Sequence, residues 1–417
     1  MKNAFYAQSG GVTSVINVSA YGVIKKVRAL DNSSKIFVGN NGIVGLLEDE
    51  IFDLDKTKKS LELLKELPGG AFGSCRYKLP EITETDFYEV LFKKLDKKNI
   101  RYFFYNGGND SADTCLKISL AGKRLGYDLN AIAIPKTIDN DLVLTDNCPG
   151  FGSVAKYVAT SSKEASLDIK SMCKTSTKVF IFEVMGRHAG WIAASSELAN
   201  NEQSTFVHKI LLPEVPFDEY AFLSGVENDI AKYGYSVIVA SEGLKNQDGS
   251  LFSNSGEKDA FGHIQLGGLA PKLANLLNNS LKVKYHWSVS DYLQRSARHI
   301  SSKVDFDHAL AVGEHAADLA FSGETGVMPI IKRTNSNPYK WEIKKGMLQD
   351  IANKEKTLPD SYISEDGFRI SESGVNYLKP LIQGEIFPKF KNGVPSYDQL
   401  DPVSYTHLRA HETALDR

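Results

Sequence analysis

Residues 129–141 read LNAIAIPKTIDND, and the fold turns on how they are interpreted. Ile132, Ala133 and Ile134 form an apolar run that reads as a buried strand. The strand delivers Lys136, Thr137, Ile138, Asp139, Asn140 and Asp141 into the loop at its carboxyl end, the edge where open parallel sheets bind ligands. In an extended loop Asp139 and Asp141 face the same side. Two close carboxylates repel unless a cation lies between them or one takes up a proton. A turn capped by Asp and Asn would use the same residues, so the choice passes to the neighbouring loops.

Upstream, Ile100–Tyr105 (IRYFFY) is a second apolar run, followed by Asn106, Gly107, Gly108, Asn109, Asp110 and Ser111. A helical pattern then begins, with Ala112, Cys115, Leu116, Ile118 and Leu120 at helix spacing. Paired glycines at a strand end let backbone N–H groups approach a phosphate, and a helix N-terminus adds positive potential. The first residues repeat the arrangement: Ala4–Ala7 leads into Gln8, Ser9, Gly10, Gly11 and on to Asn17, with a helix to about Ala29. Three strand-end loops of this composition point to a phosphate site with carboxylates nearby.

The rest of the composition suits an α/β enzyme. A chain of 417 residues has room for two or more domains. A net charge of −2 gives no electrostatic case for nucleic acid or an anionic membrane. No apolar stretch reaches the roughly 20 residues needed to span a bilayer, and the N-terminus runs straight into a strand without the regions of a signal peptide. Cys75, Cys115, Cys148 and Cys173 are widely spaced, as idle thiols in a reducing cytoplasm would be.

Residues 1–150 alternate strand and helix patterns, with strands near 3–8, 35–39, 101–105 and 130–135. Leu67–Lys78 is a Gly-rich loop ending in Arg76 and Lys78. It suits a phosphate clamp through the Arg76 fork, while Lys78 reads as a solvated surface charge. After the turn-rich join Cys148–Gly152, a long helix runs to about Lys174. Lys178–Val184 then delivers Met185, Gly186 and Arg187, and Tyr235–Ala240 delivers Ser241, Glu242 and Gly243. His188 has no neighbours that suggest a triad and reads as structural.

The combination of GG…N at 10–17, GGNDS at 107–111, PKTIDND at 135–141 and MGR at 185–187 resembles the phosphofructokinase family, most closely its pyrophosphate-dependent branch. The match runs from about residue 3 to about residue 400. It implies two Rossmann-like doubly wound α/β domains with a C-terminal extension. Residues 1–150 with about 296–335 would bind the phosphoryl donor, 151–295 the sugar phosphate, and 336–402 would form the extension. The implied activity is Mg²⁺-dependent transfer of a phosphoryl group from pyrophosphate to the 1-hydroxyl of fructose 6-phosphate. It would take place in the cytoplasm, in a homo-oligomer of two or four chains with no nucleic-acid or membrane partner.

The same resemblance implies the roles of individual residues. Asp139 would accept the hydroxyl proton, with Lys136 and Arg187 as the other catalytic groups. Gly11 and Arg76 would meet the donor. Thr137, Asp141, Met185, Gly186 and Glu242 would bind substrate. Asp110 and Lys136 would select the donor, because the ATP-dependent relatives have glycine at both positions. The metal would fall to Asp110, with Asn109 standing where most members have a metal-binding Asp. The 6-phosphate is assigned to Tyr292 and Arg295 of the stretch Asp291–Ser296. The similar string GHIQLGG at 262–268 is set aside because Leu266 stands at its arginine position, which leaves His263 structural. Lys178 and His286 occupy positions where the family borrows two arginines from a neighbouring subunit, so completion of the site across an interface is left open.

Three other readings are weighed: an ATP-dependent kinase on the same sugar, a nicotinamide-dependent oxidoreductase, and a catalytically silent regulatory protein. Residues 10–17 lack the GxGxxG spacing of the oxidoreductase, and a silent protein would not need both Asp139 and Asp141. The extension, with Pro338, Trp341, a charged helical stretch and Tyr362–Lys379, is expected to pack or to contact another subunit and to carry no chemistry. Residues 403–417 (VSYTHLRAHETALDR) resemble translated adapter text and are expected to be a non-native tail outside the fold.

Overall fold

A computed structural model describes residues 2–57, 60–253, 268–397 and 400. His263, Leu266 and the tail 403–417 lie outside the described residues. The first half of the chain forms strands β1 (Asn3–Gln8), β2 (Ile36–Gly39), β3 (Ile51–Asp53), β4 (Ile100–Gly107) and β5 (Asn130–Pro135). The second half adds β6 (Val179–Val184), β7 (Lys209–Leu211), β8 (Ser236–Ser241), β9 (Tyr285–Val289), β10 (Val327–Ser336) and β11 (Tyr339–Met347). One seven-stranded sheet has the order β11-β10-β5-β4-β1-β2-β3, and a four-stranded sheet has the order β7-β8-β6-β9.

The unbroken apolar runs become strands because both faces of the larger sheet are covered. Phe5, Ala7, Phe103, Tyr105, Ala131 and Ala133 enter one core, with the helices Thr85–Lys97 and Asn109–Arg124. Their alternates Ala4, Tyr6, Tyr102, Phe104, Ile132 and Ile134 enter the other, with the helices Ile16–Leu30 and Lys303–Phe321. This period of two, apolar on both sides, distinguishes a buried parallel strand from a half-exposed one. The smaller sheet repeats the scheme. Phe182, Val184, Val237 and Val239 face the helix Phe151–Met172, and Val179, Ile181, Ile238 and Ala240 face the helix Leu269–Leu281.

β10 pairs in parallel with β5, so the chain returns to the first sheet as expected. Two features differ from the sequence reading. The larger sheet is mixed, with β2–β3 and β10–β11 antiparallel. The charged stretch read as helical begins instead as the strand β11. Trp341 and Ile343 alternate inward with Glu342 and Lys344 outward, and a long antiparallel partner satisfies the backbone. The first strand of the extension thus belongs to the seven-stranded sheet. Among the described residues no helix is long and apolar enough to cross a membrane.

Within the larger sheet, β1 is flanked by β2 on one side and β4 on the other. The strand order reverses there, which opens a crevice at the carboxyl ends of β1 and β4. The carboxyl ends of β6, β8 and β9 face the same cleft.

Candidate active site

The cleft has a volume of about 710 Å³ and collects residues from both sheets. From the larger sheet come Gly10, Gly11, Arg76, Asn109, Asp110, Lys136, Thr137, Asp139 and Asp141. From the smaller come Met185, Arg187, Glu242, Tyr292 and Arg295. Of the residues assigned from sequence, Gly186 alone stands behind the lining. Lys78 is exposed and takes no part in it, whereas its neighbour Tyr77 does.

Local hydrogen bonds explain how the loops are held. Asn17 donates from Nδ2 to the carbonyls of Leu67 (3.0 Å) and Gly69 (2.7 Å) and accepts from the Ala71 N–H at 2.9 Å. It thereby fastens the Gly-rich loop to the first strand-end loop. The Gly10 N–H donates to the Cys75 carbonyl at 2.9 Å and the Ser74 hydroxyl donates to the Gly10 carbonyl at 2.7 Å, which delivers Arg76 to the cleft. On the opposite wall, Gly186 has φ 129. A β-carbon there would come within 2.8 Å of the Ala189 carbonyl and the Ser241 hydroxyl, so only glycine fits. The Gly186 N–H donates to Glu242 at 3.4 Å and ties the loops after β6 and β8 together.

Lys136 is buried, and its ammonium donates to the Gly11 carbonyl at 2.5 Å. Burial, reinforced by the Arg295 guanidinium, lowers its pKa to about 8. Arg295 stacks on the Tyr292 ring, 4.0 Å from its centroid. It also reaches across the cleft: a β-carbon on Gly11 would lie 2.5 Å from Arg295 Nη1. Gly11 therefore makes room for a guanidinium from the other wall. Lys136, Arg76 and Arg295 converge as a group of cations whose mutual repulsion an anion would relieve.

The carboxylates gather beside them. The Thr137 hydroxyl accepts from the Asp139 N–H at 3.1 Å and fixes the start of the turn. Burial first, then Asp141 and Glu242, push the Asp139 carboxyl up, and burial likewise raises Asp141. Glu242 is pushed up to about 7, chiefly by burial.

Asp110 is exposed at the start of its helix. Asn109 Oδ1 and Asp141 Oδ1 are instead buried acceptors without a hydrogen-bond partner. Among the described residues no cluster of three or more His, Cys, Asp or Glu side chains makes a ready metal cage.

Sequence reasoning missed the wall supplied by the extension. Asn353 and Glu355 line the cleft, although that segment was expected to carry no chemistry. Asn109 donates to the Lys354 carbonyl at 2.6 Å, and Glu355 meets His188 Nδ1 at 2.8 Å. His188 thus faces the cleft as half of a pair. Lys178 donates to the Cys173 carbonyl, and His286 lies exposed on β9 beside Phe180. No local signal marks residues 353–355, because their place follows from β11 and the turn after it.

A family model described as Phosphofructokinase matches residues 3–320. A protein of Halomonas elongata named pyrophosphate--fructose 6-phosphate 1-phosphotransferase is 54% identical over 401 residues, spanning 95% of this chain and 96% of its own. One of the same name from Methylococcus capsulatus is 50% identical, spanning 97% of each chain. Among solved structures, a pyrophosphate-dependent phosphofructokinase from Nitrosospira multiformis matches with a TM-score of 0.90 at 48% identity, over 97% of each chain.

Proposed function

The chain belongs to the phosphofructokinase family, and from that premise we propose that it transfers a phosphoryl group from pyrophosphate to the 1-hydroxyl of fructose 6-phosphate. One observation carries the reading: Lys136, Arg76 and Arg295 converge around Gly11 while Asp139 stands in the same cleft opposite Arg187 and Glu242. Phosphoryl transfer needs positioning and charge neutralisation more than covalent chemistry by the protein. In this reading Lys136 and Arg76 hold the compact donor. Glu242 accepts from sugar hydroxyls, and Tyr292 and Arg295 hold the 6-phosphate. Arg187 balances charge on the phosphoryl group in flight. Asp139 takes the proton of the 1-hydroxyl, so that the oxygen attacks as the bond to the leaving phosphate breaks.

The implied Mg²⁺ fits this chain at Asn109 and Asp141, whose orphaned oxygens are the hard donors that ion prefers, rather than at the exposed Asp110. When bound, it would neutralise charge on the phosphates.

We place the reaction in the cytoplasm, where four free cysteines are at home. We read the molecule as a homo-oligomer. β9 is an edge strand carrying the exposed Trp287 and Val289, and such edges need a cover.

The test is a coupled assay for fructose 1,6-bisphosphate with Mg²⁺ and either pyrophosphate or ATP. Turnover with pyrophosphate, lost on chelation, is expected. Turnover with ATP alone would assign the chain to the ATP-dependent branch.

Two expectations attach to the sugar side. Arg295→Ala removes a charge-assisted contact of about 1.5–3 kcal/mol, so KM for fructose 6-phosphate is expected to rise about 10- to 100-fold. An unchanged KM would remove Arg295 from the phosphate site. Glu242 must be ionised to accept hydroxyl protons, and with its pKa at about 7 that form is lost as pH falls. Affinity for the sugar phosphate is therefore expected to drop about tenfold between pH 8 and pH 6. Glu242→Gln should bind weakly but flatten this part of the profile, which separates the enzyme's titration from that of the substrate phosphate.

A further inference from the structure

The turn that carries Asp139 and Asp141 is gripped from behind by the C-terminal extension. Asn140, between the two carboxylates, is fully buried and has φ 55, a left-handed conformation. It takes no part in lining the cleft. Its Nδ2 donates to the Tyr377 hydroxyl at 3.0 Å, and its Oδ1 accepts from the Cys148 N–H at 3.0 Å. The Tyr377 hydroxyl in turn donates to the Asp146 carbonyl at 2.5 Å. One buried hydroxyl thus closes the loop across Asn140 and Asp146.

Tyr377 is itself fixed. Arg333 lies 4.5 Å from its ring centroid, donates to its carbonyl at 3.0 Å, and pairs with Asp146 at 3.0 Å. Lys356 reinforces the grip. Its N–H donates to the Asp141 carbonyl at 2.7 Å, and its ammonium donates to the carbonyls of Thr145 (3.0 Å) and Asp146 (2.9 Å).

A non-glycine residue in the left-handed region persists only where its surroundings over-determine it. Asn140 is over-determined by Tyr377 and Cys148. We propose that Tyr377 is a positioning residue for phosphoryl transfer, acting through Asn140 to hold the backbone between Asp139 and Asp141. The proposal rests on the functional reading above, in which Asp139 is the base. Without the hydroxyl, Asn140 Nδ2 and the Asp146 carbonyl lose their shared partner, and the turn relaxes. A displacement of about 1 Å at the reacting groups is enough to cost about a hundredfold. Substrate contacts on the opposite wall stay as they were, so the loss falls on turnover.

The experiment compares the wild-type chain with Tyr377→Phe, Asn140→Gly and the double variant, using pyrophosphate and fructose 6-phosphate. Phenylalanine keeps the ring that packs on Trp191, 5.2 Å between centroids. Glycine accepts φ 55 without strain and lacks the side chain that bonds the Tyr377 hydroxyl and the Cys148 N–H. Each single variant is expected to lose about tenfold or more in kcat with KM changed less than about twofold. Because the two residues act as one link, the double variant should lose no more than Asn140→Gly alone. Should Tyr377→Phe fail to fold, a kcat-specific loss in Asn140→Gly still supports the link and wild-type kcat there overturns it. Full kcat in Tyr377→Phe, or losses that multiply in the double variant, would overturn the positioning role while leaving the activity standing. An inactive wild type would overturn both.

Discussion

Asp139→Asn is expected to lower kcat about 10²–10⁴-fold, the usual cost of removing a general base, with KM for either substrate nearly unchanged. Asparagine keeps the size of the side chain and an oxygen acceptor, so the turn fixed by Thr137 survives. What it lacks is a site for the proton of the 1-hydroxyl. The surroundings suit Asp139 to that task. Burial and the neighbouring carboxylates of Asp141 and Glu242 disfavour its charged form, while Lys136 restrains the rise. A carboxylate held near the working pH both exists as a base and takes up a proton readily. Steady-state kinetics on the purified variant decide the point. Retention of more than about a tenth of wild-type kcat would mean that the proton goes elsewhere.

Lys136→Gly is expected to lower kcat/KM for pyrophosphate about 10²–10³-fold, comparable to losing a preorganised electrostatic stabiliser. The ammonium is buried, anchored on Gly11, and close to Arg76 and Arg295, so an anion entering there meets little competing water. Asp110→Gly makes the complementary arm. Asp110 lies at the rim of the cleft and is exposed. Its repulsion of a longer donor is therefore screened, and the expected gain for ATP is about fivefold rather than thousandfold. The double variant should lose pyrophosphate turnover and gain space where Lys136 stood. Donor competition measured on all three variants checks the assignment. If Lys136→Gly left the pyrophosphate reaction intact, the buried ammonium would be a packing feature and the donor would bind elsewhere.

Much of the cleft was legible in the sequence because its elements announce themselves locally. The runs at 3–8, 101–105 and 130–135 read as buried strands, and each is followed at once by a loop that lines the cleft. The order of the loops along the chain, together with the glycines and carboxylates inside them, identified the family without reference to contacts. The charged start of the extension was misread because alternation of Trp341 and Ile343 with lysines and glutamates is weak evidence on its own. It became a strand only because β10 lay ready to pair with it.

The sequence by itself marked most of the residues that line the cleft, since a buried strand in a parallel sheet presents whatever follows its carboxyl end, but not His188, Asn353 or Glu355. Only the tertiary structure decided what holds those residues in place and which way they reach. Arg295 extends over Gly11, and Asn140 is bound by Tyr377 from 237 residues away. Periodicity and motif spacing carry information over a few turns of chain. A hydrogen bond to a buried hydroxyl far along the sequence is set by how the sheets and the extension pack, and packing is a property of the whole fold.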